Sequence, residues 1–410
     1  MTRPAKTKKA PETAPATTTA AAKAPDEPAE VATRHISPAV TAILWGRAGG
    51  RCEFAGCNQP LWRSPVTQEA VNIAQRAHIY SFSGDGPRGN DGIAADDLNG
   101  VDNLMLVCPV CHLTIDRAPD GGRYTVPVLR AMKAMHELRI EVVTGIDPSL
   151  RSDVVLYGAN IGDHSSPRLM MDAGTAMFPS RSPASATPIS LGTLDSPTQD
   201  RSDEYWATEA AALRSHFERR VRDRLAVREI EHLSVFALAP QPLLVLLGTL
   251  LGDITPADVY QRQREPQTWS WPSTASPPDL VVNAPAKTDG PPALVLALSA
   301  TVTRDRIEAV LGASVSVWEV TVAAPHNDLT KSREQLSRFR TTLRTVLDRI
   351  KAAHGQTTPV HVFPVVSAAM AVELGRVRMP KADTPWHVYD QVNDRGGFIR
   401  ALSIPNGGRA

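Results

Sequence analysis

The stretch Asn103-Leu-Met-Leu-Val-Cys108-Pro-Val-Cys111-His112-Leu-Thr-Ile-Asp116 sets a short apolar run directly before a Cys-x2-Cys knuckle, a histidine and a helical turn. Upstream stands its counterpart, Cys52-Glu-Phe-Ala-Gly-Cys57. These two pairs hold all 4 cysteines of the chain. Close thiolate pairs of this kind predict one tetrahedral zinc site, which stabilises a small irregular unit by cross-linking it. Four thiolates leave no ligand position open, so this zinc is structural. Thiolates also suit a reducing cytosol. A pair of disulfides is the alternative reading of the same residues.

Chemistry then falls to the histidines. In Asn72-Ile-Ala-Gln-Arg-Ala-His78-Ile79 an apolar run reads as a strand ending at His78. Ser81–Asp102 is polar and reads as a loop, Asn103–Val107 as a second strand, and Cys111 to Asp116 as the opening of a helix. Two strands and a helix around a metal make a compact phosphodiesterase site. A neutral histidine takes a proton from water, and a divalent cation steadies charge on the phosphate and the leaving oxygen. An asparagine bridging the strands would hold the histidine ring.

Ala77-His78-Ile79, Asn103 through His112, and Ile115-Asp116 resemble the HNH (ββα-metal) nuclease family. The resemblance implies His78 as general base, Asn103 as the residue bracing the hairpin, and His112 as a ligand of Mg²⁺ or a similar ion. One departure stands out: many members place an acidic metal ligand directly before the base, and here that position is Ala77. Asp116, one helical turn past His112, is read either as the replacement oxygen ligand or as a helix-surface acid. Gln75 is a weaker candidate. Arg88, in Gly86-Pro-Arg-Gly, reads as a phosphate contact or as part of the loop's own fold. His136 reads as packing, and His35 and Arg51 carry no specific signal.

The chain has 410 residues, 42% hydrophobic and 21% charged, with net charge +1. Such a balance gives no global field toward nucleic acid, so any DNA face must be a local patch. Three parts are expected: a disordered tail at 1–32, a zinc-stabilised nuclease domain at 33–146, and a larger domain at 147–410. Pro38 opens a helix carrying Ile43, Leu44 and Trp45. Tyr124–Val126 reads as a strand, and Pro127 opens a helix to about Val142 with Leu129, Met132, Met135 and Leu138 as its core stripe. No secretory signal is visible. Leu233–Leu251 is interrupted by Pro240, Gln241 and Pro242, so it reads as strand, turn and buried helix and not as a membrane span. A soluble cytoplasmic protein without membrane contact is expected.

Beyond Asp147, buried strands at Val154–Tyr157, Leu233–Ala239, Ala293–Ala300, Val315–Val322 and Val360–Val366 alternate with helices. The helices are expected at Tyr205–Val227, Leu243–Leu251, Arg304–Leu311 and Leu329–His354, with a long loop at Phe178–Asp200. That alternation predicts an α/β layered domain on a largely parallel sheet (α+β for the chain overall), with ligands at the carboxyl ends of strands. From Asp147 to Pro405 the chain also resembles the SAVED domain of bacterial antiphage (CBASS) effectors. The resemblance rests on Phe236-Ala-Leu-Ala-Pro-Gln-Pro-Leu-Leu, Trp269-Ser-Trp, Ala324-Pro-His-Asn-Asp, Ala371-Val-Glu-Leu-Gly-Arg376 and Trp386-His-Val-Tyr-Asp390.

The resemblance implies two fused Rossmann-like (CARF-like) halves and a cyclic di- or trinucleotide activator, cGAMP-like, made by a partner cyclase. It implies a homodimer at rest and a larger assembly, a tetramer, when activated to cut double-stranded DNA. Candidate ligand contacts are Tyr157, Asn160, Ser367, Trp386, His387, Lys331 and Arg338; core packing or a solvated face is the alternative for each. Trp269 and Trp271 read as packing a loop onto the sheet. Two rival functions stay open: a modification-dependent restriction enzyme, and a non-catalytic zinc-stabilised scaffold.

Overall fold

Ser37 and Pro38 start the first helix as the sequence suggests: the Ser37 hydroxyl accepts from Val40 N at 3.2 Å, and α1 spans Pro38–Arg47. A computed structural model of the chain describes residues 34–86, 88–90, 93–117, 122–159, 170–192, 203–272, 278–392 and 397–406. The expected tail at 1–32 lies outside the described residues, as does Asn160. Two compact units divide the chain, Met1–Glu141 and Val142–Ala410.

In the first unit β1 (Gln75–His78) leads through the short α2 (Ala95–Leu98) to β2 (Leu104–Val107). The strands pair antiparallel, with Gln75 opposite Val107 and His78 opposite Leu104. Next comes α3 (Pro109–Asp116), capped by Cys108, then α4 (Val126–Thr144). Leu44, Leu61, Ile79, Leu104, Leu106 and Ile115 are all fully buried and form the core.

Two expectations about α4 need correction. Val126 belongs to the helix, not to a strand: Thr125 O already accepts from Leu129 N at 3.0 Å, and Pro127 sits in the first turn, where no N–H is needed. Met135 and Leu138 are 74% and 62% exposed, so they are not core. The inward face instead carries Leu129, Lys133 and His136. Lys133 reaches Glu137 at 2.6 Å and Glu53 at 3.7 Å, and His136 Nε2 lies 3.0 Å from Ala48 O. Partnered polar groups thus occupy a face that apolar spacing alone assigned to methionine and leucine.

The second unit opens with β3 (Arg151–Gly158), α5 (Met170–Met177) and the two-residue strands β4 (Ser182–Pro183) and β5 (Ile189–Ser190), which interrupt the expected loop. The long amphipathic helix is α6 (Asp203–Phe217), a π-helical turn at Glu218–Arg222, and α7 (Asp223–Ala226). Leu213, Phe217 and Val221 are buried, as their spacing predicts. The Leu233–Leu251 run divides at Pro240 into β6 (Leu233–Leu238) and α8 (Gln241–Leu251), followed by β7 (Ala257–Tyr260). A parallel sheet results, in the order β4-β3-β6-β7 with β5 also on β3.

The other half contains β8 (Val281–Asn283), β9 (Pro292–Ala297), α9 (Arg304–Leu311), β10 (Ser316–Thr321) and α10 (Arg333–His354). It closes with β11 (Val360–Val365), α11 (Ala368–Val377), β12 (Trp386–Val392) and β13 (Gly397–Ile404). The sheet order is β13-β12-β11-β9-β10-β8, parallel from β12 to β10 with antiparallel edge strands. Fully buried runs such as β9 are what a sheet covered on both faces requires. α10 begins at Arg333 and not at Leu329 because Ser332 and Gln335 form a capping box. The two Rossmann-like sheets expected from the sequence are both present, joined where α8 and α11 cross. Among the described residues no helix is long and apolar enough to cross a membrane.

Candidate functional site

The four cysteines converge. Their sulfurs all lie within 4.8 Å of one another, and Cys57 Sγ is 3.9 Å from Cys108 Sγ. Disulfide sulfurs sit near 2.05 Å, so these are free thiols. Ligands about 2.3 Å from a tetrahedral centre lie about 3.8 Å apart, and the cluster fits a zinc ion on that measure. Helix α3 closes one side, with Cys111 N donating to Cys108 Sγ at 3.4 Å, and Cys108 N donates to Cys52 Sγ at 3.3 Å.

Burial, together with the neighbouring sulfurs, pushes the Cys52 thiol up to about 12 and that of Cys111 higher still. Burial also raises Cys108, but hydrogen bonds from Cys111 and from the Cys57 and Cys52 thiols outweigh it and leave it below the usual value. Cys52 and Cys111, held this way, lose their protons readily only to a cation. Glu53 latches the first knuckle to β2: its backbone N donates to Leu106 O at 2.9 Å, and its carboxylate accepts from Leu106 N at 2.5 Å. Burial raises the Glu53 carboxyl to about 7 despite the Lys133 ammonium nearby.

Beside this cluster an open cleft of about 430 Å³ brings together His78, His112, Asp116, Gln75, Arg34, Arg76 and Arg88. His78 ends β1; His112 and Asp116 lie one turn apart on α3, with His112 Nδ1 3.4 Å from Asp116 Oδ2. Burial lowers the His78 pKa, opposed by the hydrogen bond to Asn99 and reinforced by the charges of Arg34, His112 and Arg88, which favours the neutral ring. His78 and His112 therefore line one cleft together with Asp116, while Asn103 does not line it.

Asn103 sits below them. Its Oδ1 accepts from Tyr80 N at 2.8 Å, and its Nδ2 donates to Leu98 O at 2.9 Å and Tyr80 O at 3.3 Å, tying the two ends of the hairpin. The ring contact expected of that asparagine is made by another one: His78 Nε2 lies 3.1 Å from Asn99 Oδ1. Arg88 is the loop's own fastener. Its side chain is 4% exposed and donates to the carbonyls of Ile79, His78 and Ile115, with Asp116 3.5 Å away.

In the second unit a cleft of about 550 Å³ opens at the carboxyl ends of the central strands, past Leu238, Tyr260 and Val365. This is where ligands of open α/β sheets bind. Gln241, Gln261, Arg262, Arg264, Asn327 and Ser367 line it, with no carboxylate among its lining residues. Gln241 donates to Val366 O at 2.8 Å and Gln261 accepts from Ala369 N at 3.0 Å, so side chains of one half hold the start of α11 in the other. Arg262 lies over the Trp269 ring, 5.7 Å from its centroid. The buried Trp269 packs edge-on against Phe236, as expected for a loop anchor.

Several candidate ligand contacts lie elsewhere. Tyr157 is 2% exposed in the β3 core, and Trp386 is fully buried. Trp386 and His387 pair with Val360 and His361 at the opposite, amino end of β11, and His387 Nδ1 lies 3.0 Å from Ser403 Oγ. The sequence pieces marked strands but not which end of each faced a ligand. Lys331 is held by Asp328 at 2.5 Å and donates to Gln263, a cleft residue, at 3.1 Å. Arg338 pairs with Glu334 and lines a separate groove. Ser367 lines the cleft, but its hydroxyl caps α11 and meets Thr330 Oγ1 at 2.7 Å. Gln241 was within reach of the sequence, since it follows an apolar strand directly; Asn99, Gln261 and Arg262 lie in segments without periodicity.

Residues 213–404 match the SAVED family, described as "SMODS-associated and fused to various effectors sensor domain". The segment carries a SAVED domain; β3 to β5 of the first sheet precede the matched range. Among solved structures the chain is similar to the Cap4 SAVED/CARF-domain containing receptor of Acinetobacter baumannii with the cyclic trinucleotide 2'3'3'-cAAA. The TM-score is 0.40 at 10% identity, covering 68% of this chain and 56% of that one. The corresponding receptor of Moraxella osloensis gives a TM-score of 0.35 at 10% identity, over 68% and 59%. The chain thus spans less than two thirds of those proteins. No curated protein matches it.

Proposed function

We propose that this chain is a cyclic-oligonucleotide-gated, metal-dependent DNA endonuclease, an effector of CBASS-type antiphage defence. The observation that carries the nuclease reading is the convergence of His78, His112 and Asp116 on one cleft walled by Arg34 and Arg76. The sensor reading rests on the SAVED match and on the amide- and arginine-lined cleft at the strand ends.

In this reading phosphates of duplex DNA enter the first cleft toward Arg34 and Arg76. The neutral His78 ring takes a proton from water attacking the phosphorus, and Asn103 keeps the hairpin that carries it fixed. A divalent cation held by His112 and Asp116 would supply charge neutralisation at the phosphate and the leaving oxygen. In the second unit Arg262 and Arg264 face ligand phosphates, and the glutamine amides read base edges. Ligand binding favours an active assembly larger than the resting dimer, in which two clefts reach both strands.

The test is supercoiled plasmid incubated with the protein, Mg²⁺ and a panel of cyclic di- and trinucleotides. Cleavage that is lost in His78→Ala supports the reading; identical outcomes for both proteins overturn it. A second reading, a ligand-dependent scaffold without hydrolysis, is favoured by Ala77 and by the Arg88 guanidinium 3.5 Å from Asp116. It expects DNA retention without cleavage under every divalent ion.

A further inference from the structure

Asn99, which the HNH-like motif residues do not include, contacts the cleft's His78. Asn99 stands at the C-terminal cap of α2, with its Oδ1 3.1 Å from His78 Nε2. The residue before it, Leu98, is 4% exposed, and its carbonyl accepts from Asn103 Nδ2 at 2.9 Å. Asn103 also fixes Tyr80 from both its N–H and its C=O, two residues past His78. One asparagine therefore holds both the strand end that carries the imidazole and the helix end that carries the second asparagine. The Phe82 ring meets His78 edge-on at 5.7 Å and limits the ring's freedom further.

An amide oxygen only accepts. Opposite it, Nε2 must carry the hydrogen, which leaves the lone pair on Nδ1. We propose that Asn99 is a positioning residue that fixes the Nε2–H tautomer of His78, and that Asn103 acts on the ring through Leu98 and Asn99. This deepens the nuclease reading, on which the catalytic part of the test rests: a base with its lone pair on the wrong nitrogen, or dividing its time between tautomers, takes up the water proton less often. The aligned arrangement removes that loss before substrate arrives.

The test separates the tautomer from the activity. In the full chain labelled with ¹⁵N-histidine, the His78 signals are identified by their loss in His78→Gln. Long-range ¹H–¹⁵N spectra at pH 8 are expected to give a protonated Nε2 and an unprotonated Nδ1 in the wild type and in Asn99→Asp. A mixture of tautomers is expected in Asn99→Leu. A protonated Nδ1 in the wild type overturns the proposal whatever the plasmid assay gives, since Asn99 would then present its amide nitrogen.

For plasmid cleavage, kcat of Asn99→Leu is expected to fall about ten- to a hundredfold with KM unchanged, and Asn99→Asp to recover most of it. Equal kcat in wild type and Asn99→Leu, at equal folded fraction, also overturns it. If the wild type itself cleaves nothing, the nuclease reading fails while the tautomer result still decides the role of Asn99.

Discussion

Gly248 on α8 and Gly375 on α11 face one another where the two helices cross. A Cβ built on Gly248 would lie 2.0 Å from Val372 O and 2.8 Å from Gly375 Cα. One built on Gly375 would lie 2.0 Å from Val245 O and 2.8 Å from Gly248 Cα. The crossing joins the two sheet halves through the same helices whose first residues, Gln241 and Ala368, line the strand-end cleft. Either glycine changed to alanine must push backbone against backbone in a close-packed interior, at a cost of about 3 kcal/mol or more. Thermal unfolding of the second unit should shift down by about 6–12 degrees, or the variant should not accumulate; a melt like the wild type's would contradict the packing described.

The thiol cluster makes a separate forecast. Purified protein should carry about one zinc per chain. Cys57→Ser or Cys111→Ser should bring that close to zero and expose the first unit to proteolysis, while the second unit keeps its own transition. Elemental analysis with limited proteolysis reads both. Full zinc content in either variant would contradict the tetrahedral assignment.

Acid should weaken the second unit through two histidines. Burial holds His232 at about 4, helped by the Arg181 charge, and holds His361 at about 4, helped by His387 and Arg400. Unfolded, each ring titrates near about 6.5. Between those values the unfolded chain binds the proton and the folded chain does not, so stability is complete above pH 6.5 and falls as pH drops toward 4. With both rings only partly buried, about 1–2 kcal/mol each is expected. Chemical denaturation at pH 7.5 and 4.5 measures it, and His361→Gln should remove about half of the difference.

Ligand affinity should follow the strand-end cleft. Arg262→Ala is expected to weaken cyclic-oligonucleotide binding by about tenfold or more, the loss of a charge-assisted hydrogen bond. His387→Ala should leave it unchanged, because His387 lies beside the amino end of β11, away from the cleft. Calorimetric titration of the two variants compares them directly; the reverse order would move the ligand site away from the cleft.

What the sequence disclosed follows the strength of its local signals. Cysteine spacing, Pro240 breaking an apolar run, and the 3–4 spacing of Leu213, Phe217 and Val221 each translate into structure with little outside help. α11 escaped because Ala369 to Val377 is buried on every side, which erases helical periodicity. Trp386-His-Val-Tyr-Asp390 has the composition of a strand, but nothing in that stretch tells which end of the sheet Trp386 and His387 occupy. In the first unit the order strand, loop, strand, helix was legible. Asn99 was not, because its contact with His78 depends on how a polar loop closes. Lys133 and His136 displaced Met135 and Leu138 from the interior only because Glu53 and Ala48 O, far away in the chain, supply their partners.

The proposed gating of cleavage by ligand is tested most directly by the initial rate of plasmid loss at fixed Mg²⁺, with and without saturating cyclic oligonucleotide, for wild type, His78→Ala and Arg262→Ala. A rate that rises at least a hundredfold with ligand in the wild type is expected, with none in His78→Ala and a rightward-shifted ligand dependence in Arg262→Ala. A wild-type rate that is the same with and without every cyclic di- and trinucleotide, or one that survives His78→Ala, would contradict it.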